Sequence, residues 1–127
     1  MTKPTPGIVG YAEVLRWRDG DTVVILPRFR GFPVAIRPRY WCHELHGGTV
    51  ETRAKAIAAK LFAEQLAPPG STILYSIPTA DAEEIKDVLT FDRVLGELWA
   101  ENEQHSMSEL MIAAGHAAPT KRGLLNA

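Results

Sequence analysis

Disulfide chemistry is the first thing this sequence lacks: Cys42 is the single cysteine among 127 residues, so no internal bridge can form. No apolar run approaches the length of a membrane span. The opening Met1-Thr2-Lys3-Pro4-Thr5-Pro6-Gly7 has no apolar core of the secretory kind. A reducing, cytoplasmic setting without membrane contact is the expectation. Glycine-rich phosphate cradles, a Gly-x-Ser-x-Gly elbow and paired Cys-x-x-Cys motifs are absent, which removes the common nucleotide-loop, serine-hydrolase and dithiol chemistries. Neither sign of charge dominates: 14 Lys and Arg stand against 15 Asp and Glu, and a net charge of −1 argues against an indiscriminate polyanion binder.

Hydrophobic residues make up 46% of the chain and charged ones 23%, ordinary proportions for one globular domain large enough to bury a core without metal or disulfides. The balanced charge hides an asymmetry. Residues 1–60 hold ten Lys and Arg against five Asp and Glu, and residues 61–127 hold four against ten. Arg16, Arg18, Arg28, Arg30, Arg37 and Arg39 lie on the stretch that reads as strands, so one face is suited to phosphate, unless these arginines are simply solvated.

Three strands are expected over Ile8–Arg18, Thr22–Phe29 and Phe32–Arg39, separated by Asp19-Gly20 and Arg30-Gly31 in an antiparallel meander. Pro33 and Pro38 belong at strand ends or on an edge. A loop over 40–48 follows. Val50–Leu66 reads as a helix, with Val50, Ala54, Ile57 and Leu61 at helical spacing and Ala58 and Phe62 widening the stripe, and Ala67-Pro68-Pro69-Gly70 ends it. Strands over Thr72–Ile77 and Thr90–Ala100 flank an acidic connection, Pro78–Asp87. A last helix begins at Ser106, with Glu109 three residues on, and stops at Gly115. No internal repeat is present, and the segment after Ala117 shows no periodicity. The domain is therefore set at 8–119, with tails at 1–7 and 120–127. Its class is α+β, mainly β: a five-stranded barrel of the OB type with two to three helices.

Asp21 is the most informative residue. In the run Leu15-Arg16-Trp17-Arg18-Asp19-Gly20-Asp21-Thr22-Val23-Val24-Ile25, the Asp-Gly pair is expected to supply two positive-φ positions of a hairpin turn. A second carboxylate, at the head of a Val- and Ile-rich strand, opposes strand preference and so marks a functional candidate; a capping or solvating role is the alternative.

Taken in order, Asp19-Gly20-Asp21-Thr22, Ile36-Arg37, Glu44-Leu45, the alanine-rich helix ending Leu66-Ala67-Pro68-Pro69-Gly70, Asp92-Arg93-Val94-Leu95-Gly96-Glu97-Leu98-Trp99 and Ser108-Glu109-Leu110-Met111-Ile112-Ala113-Ala114-Gly115-His116-Ala117 resemble the staphylococcal-nuclease-like (thermonuclease) domain family. The resemblance is to the compact, phage-encoded type and runs from about Glu13 to Pro119. It implies a metal-dependent phosphodiesterase that hydrolyses DNA or RNA with Ca²⁺ or another divalent cation; a monomer is expected. By the same resemblance Asp21 binds the metal, Arg37 binds phosphate, Glu44 is the general base, and Arg93 stabilises the transition state. The physical demands agree: a deprotonated water, a cation beside the non-bridging oxygens, and forked cationic donors for the phosphorane charge. Arg37, Arg39, Tyr40 and Arg93 form the implied nucleic-acid contact, Tyr40 and Trp41 being either base-stacking residues or buried barrel-edge aromatics.

The chain departs from the family pattern in its loop. Where the family has Gly-Ile-Asp-x-Pro-Glu-Leu, this sequence has Arg39-Tyr40-Trp41-Cys42-His43-Glu44-Leu45, which puts Trp41 at the second metal-binding aspartate. The segment between Arg37 and Glu44 is one residue short, and Asp92-Arg93 shortens the usual Asp-x-x-Gly-Arg spacing. Asp21 would be joined at the metal only by the backbones of Trp41 and Cys42, so weak cation binding is expected. Three possibilities stand: a nuclease with a weakened metal site, a catalytically inactive nucleic-acid-binding module, or a softer metal on Cys42, His43 and His46. His105 and His116 read as surface or helix-end residues.

Overall fold

The computed structural model describes residues 7–28, 33–45, 48–78, 89–90 and 93–125. The expected Arg30-Gly31 turn, nearly all of the 78–87 connection, His46 and Asp92 lie outside them. β1 (Gly7–Asp19) is a 13-residue strand that pairs antiparallel with β2 (Thr22–Pro27) on one side and β4 (Thr72–Pro78) on the other. Its register against β2 shifts between Val14 and Arg16 and again between Trp17 and Asp19. Such bulges bend a strand and increase its twist. β3 (Val34–Arg37) pairs antiparallel with β2, and Pro33 and Pro38 flank it, as their missing N–H groups require.

The expected strand over Thr90–Ala100 is divided into β5 (Leu89–Thr90), β6 (Arg93–Leu95) and β7 (Glu97–Trp99). The sheet order is β5-β6-β3-β2-β1-β4-β7, with β3 and β6 parallel and every other neighbour antiparallel. β6 and β7 thus lie on opposite flanks of the sheet while only Gly96 separates them in the chain. The sheet must curl until both flanks reach that one residue. Gly96 N–H donates to the Arg37 carbonyl at 3.1 Å, and a Cβ there would stand 2.9 Å from the Ser76 oxygen, so only glycine fits. The architecture is mixed α+β: a strongly curled sheet and three helices.

Inside the curl lie Val14, Trp17, Val23, Ile25, Ile36, Ile73, Tyr75, Ile77, Val94 and Leu98. α1 (Val50–Leu66) covers one side of them and α2 (Met107–Ala113) another through Met107 and Met111. α1 starts with a reciprocal cap, Thr49 accepting from Thr52 N–H and Thr52 from Thr49 N–H, and the Trp17 indole N–H donates to the Ala67 carbonyl just past its end. α2 starts where Ser106 Oγ accepts from Glu109 N–H and stops before Gly115, whose φ of 81° is left-handed.

Three expectations are corrected here. The apolar stripe of α1 does not face the sheet: Ala56, Ala59 and Ala63 are buried, Phe62 is half-buried, and Val50, Ala54, Ile57, Ala58 and Leu61 are exposed. Alanines let the helix backbone approach the sheet more closely than branched side chains would. Nor does the hairpin turn use positive φ at Asp19-Gly20. Asp19 pairs with Thr22, leaving Gly20-Asp21 as the turn, and Gly20 is needed for closeness, since a Cβ would stand 2.9 Å from both Ala59 Cβ and Cys42 Sγ. Finally, the unpatterned C-terminal segment contains α3 (Lys121–Leu125). No helix among the described residues is long and apolar enough to cross a membrane.

Candidate functional site

The β1–β2 turn and the segment leaving β3 are bonded into one unit. Asp19 Oδ1 accepts the Asp21 N–H at 3.1 Å, an Asx-type closure that shapes the turn. Asp21 reaches across to the other segment, where its Oδ2 accepts the Cys42 N–H at 3.0 Å, while Thr22 Oγ donates to Oδ1 at 3.4 Å. The Tyr40 hydroxyl donates to the Gly20 carbonyl at 2.7 Å. Turn and loop therefore hold each other through two buried contacts across about twenty residues of chain, and the Cys42 thiol fills the space below Gly20.

Burial decides the electrostatics. Asp21 is 6% exposed, and loss of water, followed by hydrogen bonding to and repulsion from Asp19, pushes its carboxyl from 3.8 up to about 7; the Cys42 N–H and the Arg37 charge pull the other way. The Cys42 thiol is pushed far up by burial and by the same two aspartates, so it is not a ready thiolate. Burial likewise lifts the Tyr40 hydroxyl well above its ordinary value.

The outer side of the same loop is cationic and aromatic. The Arg37 guanidinium carbon lies 3.4 Å from the centroid of the Trp41 ring, a stacked cation–π contact. Trp41 also makes a two-bond bridge with Ala118, N–H to O at 2.8 Å and 3.0 Å, which draws the C-terminal segment alongside. In consequence Lys121 Nζ stands 5.8 Å from the same ring. A stacked guanidinium keeps its N–H fork in a plane where phosphate oxygens can be met in pairs.

The two readings open for the loop aromatics separate. Tyr40 is buried with its hydroxyl engaged, and Trp41 keeps partial exposure. Arg39 and Glu44 are exposed, and His43 is half-buried. The Arg37 charge acts on Asp21, and Glu44 is exposed two residues beyond the Cys42 amide that bonds it. Arg93 begins β6, whose Val94 and Leu95 pair with Ile36 and Arg37 of β3; the Arg93 side chain lies outside the description. Among the described residues no group of three or more His, Cys, Asp and Glu is placed to hold a metal ion. Of the backbone oxygens offered to a metal, the Trp41 carbonyl accepts from Ala118 N–H.

Two participants carried no local signal. Lys121 stands in a segment without periodicity, and only the Trp41–Ala118 bridge brings it to the site. Glu97 is a partly buried strand carboxylate that accepts from Ser108 Oγ at 2.7 Å and from its neighbour's Leu98 N–H at 3.1 Å, tying β7 to the first turn of α2. Burial raises its pKa, while these bonds and the Arg39 charge oppose the rise. No protein-family model matches the chain, and no curated protein matches it.

Proposed function

We propose that this domain is a nucleic-acid-binding module of the OB type, which meets the sugar–phosphate backbone of DNA or RNA through the Arg37–Trp41–Lys121 stack. The reading treats the curled sheet as a small barrel in which the split strand 93–99 counts once, with β1 to β4 making up the other strands. One observation carries it: an arginine held flat on a partly exposed tryptophan, with a lysine from a distant segment beside the same ring. Cations that track phosphates and an aromatic beside them are the two components of single-strand binding surfaces. Arg39, exposed on the same loop, extends the cationic strip.

A resident calcium ion does not fit the donors present. Calcium favours six to eight oxygen ligands with several carboxylates. Here Asp21 is buried and engaged at both oxygens, and Trp41 occupies the place of a second aspartate. Asp21 is better explained as the residue that fastens the loop. Metal-dependent hydrolysis of phosphodiester bonds is kept as a second reading because Glu44 is an exposed carboxylate on the segment whose Cys42 N–H is bonded to Asp21.

The test is fluorescence anisotropy with labelled single-stranded DNA and RNA, followed by gel analysis of the same mixtures with Ca²⁺, Mg²⁺, Mn²⁺ or chelator. Salt-sensitive binding, lost in Trp41→Ala and accompanied by intact substrate in every lane, is the expected result. Metal-dependent cleavage abolished by Glu44→Gln transfers the assignment to the phosphodiesterase. Absence of binding at low salt ends both readings.

A further inference from the structure

A cleft of about 290 Å³ opens on the outer face of the sheet, at the end of the β1–β2 hairpin away from its turn. Strand register builds it. Glu13 pairs with Leu26 on one side and with Thr72 on the other, and alternation turns these three away from the buried Val14, Ile25 and Ile73. Arg28, just past β2, completes the walls: its Nη2 donates to Thr72 Oγ1 at 3.2 Å, and its guanidinium carbon lies 5.8 Å from the centroid of the Tyr11 ring. Tyr11 itself is 55% exposed. Gly70, at a φ of 90°, lines the cleft without a side chain to fill it.

The two charged walls ask for different things. As a carboxylate Glu13 only accepts hydrogen bonds, and among the described residues its exposed side chain has no hydrogen-bond or ion-pair partner. Arg28 only donates, and Thr72 and Tyr11 hold its planar fork in place. A simple anion is repelled by Glu13, and a simple cation by Arg28. The occupant that satisfies both is flat, with paired donors on one edge and paired acceptors on the next.

We propose that this cleft takes a guanine base of a bound single strand. Guanine presents N1–H and N2–H side by side for the Glu13 carboxylate, and O6 and N7 side by side for the Arg28 fork; no other common base carries both pairs. Tyr11 adds a ring on which an unstacked base can lie. The outer face also offers a path to the cleft. Ile36 pairs with Val23 and lies in the core, so Arg37 emerges on the outer face beside Thr22, and the exposed Arg16, opposite Val24, stands between it and Arg28. The six residues from Thr22 to Arg28 rise about 20 Å, within reach of a short strand. The inference rests on the nucleic-acid reading and deepens it from backbone contact to choice of base.

Anisotropy titrations with labelled oligothymidylate strands carrying one central guanine, adenine or cytosine test it. The guanine strand is expected to bind about tenfold more tightly than the all-thymine strand, with no such gain from adenine or cytosine. Hypoxanthine, which lacks the N2 amino group, and 7-deazaguanine, which lacks the N7 acceptor, each lose several-fold. Glu13→Gln, at an exposed position, brings the guanine-to-thymine ratio close to one; the ratio is read because losing a negative charge strengthens binding of every strand alike. Arg28→Lys abolishes the sensitivity to 7-deazaguanine. Equal affinity for all strands, or a guanine preference that persists in Glu13→Gln, overturns this inference and leaves backbone binding standing. Binding of no strand overturns both.

Discussion

The loop after β3 has two sides that share neighbouring residues and do different work. Its inner side, Asp21, Tyr40 and Cys42, is buried and bonded to the β1–β2 turn. The outer side, Arg37, Trp41 and Lys121, is a stack of cations on an aromatic ring at the surface. Side chains alternate along an extended segment, so Tyr40 and Cys42 are buried while the intervening Trp41 is partly exposed. The inner side holds the loop in shape and thereby presents the outer one. If that division is right, inner substitutions act on stability, and outer substitutions act on binding.

The largest expected effect comes from pH acting on Asp21. An acid whose folded-state pKa lies above its unfolded value holds more protons when folded, so stability declines as pH rises from 3.8 through about 7 and then levels off. The full span of that shift amounts to up to about 4 kcal/mol. Asp21→Asn, which mimics the protonated form, should flatten this part of the profile in urea unfolding at successive pH values. Parallel profiles for the two proteins would show that Asp21 is not the buried acid described.

Next is Asp21→Ala, which leaves the Cys42 N–H without its acceptor. A buried orphan donor costs about 1–3 kcal/mol, read as a lower urea midpoint, with nucleic-acid affinity of the folded fraction retained. Lost affinity at unchanged stability would invert the comparison of the two sides.

Trp41→Ala should do the reverse. It removes the ring beneath Arg37 and should weaken single-strand binding by about 1–3 kcal/mol in anisotropy titrations, beyond any change in folding. A smaller effect belongs to Lys121→Gln: the slope of log affinity against log salt should become shallower by about 0.7 on single strands, with sequence preference unchanged. An unchanged slope would place Lys121 outside the phosphate path. Smallest of all is Glu44→Gln, which should leave affinity within about two-fold, because this exposed carboxylate donates nothing to a phosphate. A marked gain in affinity would place Glu44 against the backbone, where a general base would stand.

Much of the frame was legible because its causes are local. β1, β2, β4, the span of α1, its end before Pro68 and the cap at Ser106 all follow from alternation, periodicity, capping chemistry and helix breakers within a few residues. The face of α1 was not legible. Periodicity reports that Val50, Ile57 and Leu61 share a side but not whether that side meets the sheet, and the closeness that Gly20 and Ala59 permit chose the alanine side. Asp21 stands out in the sequence as a surplus carboxylate, yet its bond to Cys42 joins residues 21 apart and no local rule could supply it.

The sequence by itself determined an α+β domain with a β1–β2 hairpin, a helix over Val50–Leu66 ended by Pro68, a cation-bearing segment through Arg37 and Arg39, and a turn aspartate, Asp21, in excess of what the turn needs. Tertiary structure decided that the aspartate turns inward, that Trp41 rather than Tyr40 keeps a surface, and that Lys121 joins Arg37 at its ring. The reason is physical. Propensity and capping act over a few residues, whereas burial depends on which segments the closing sheet brings together around Gly96, Gly20 and the Trp41–Ala118 bridge.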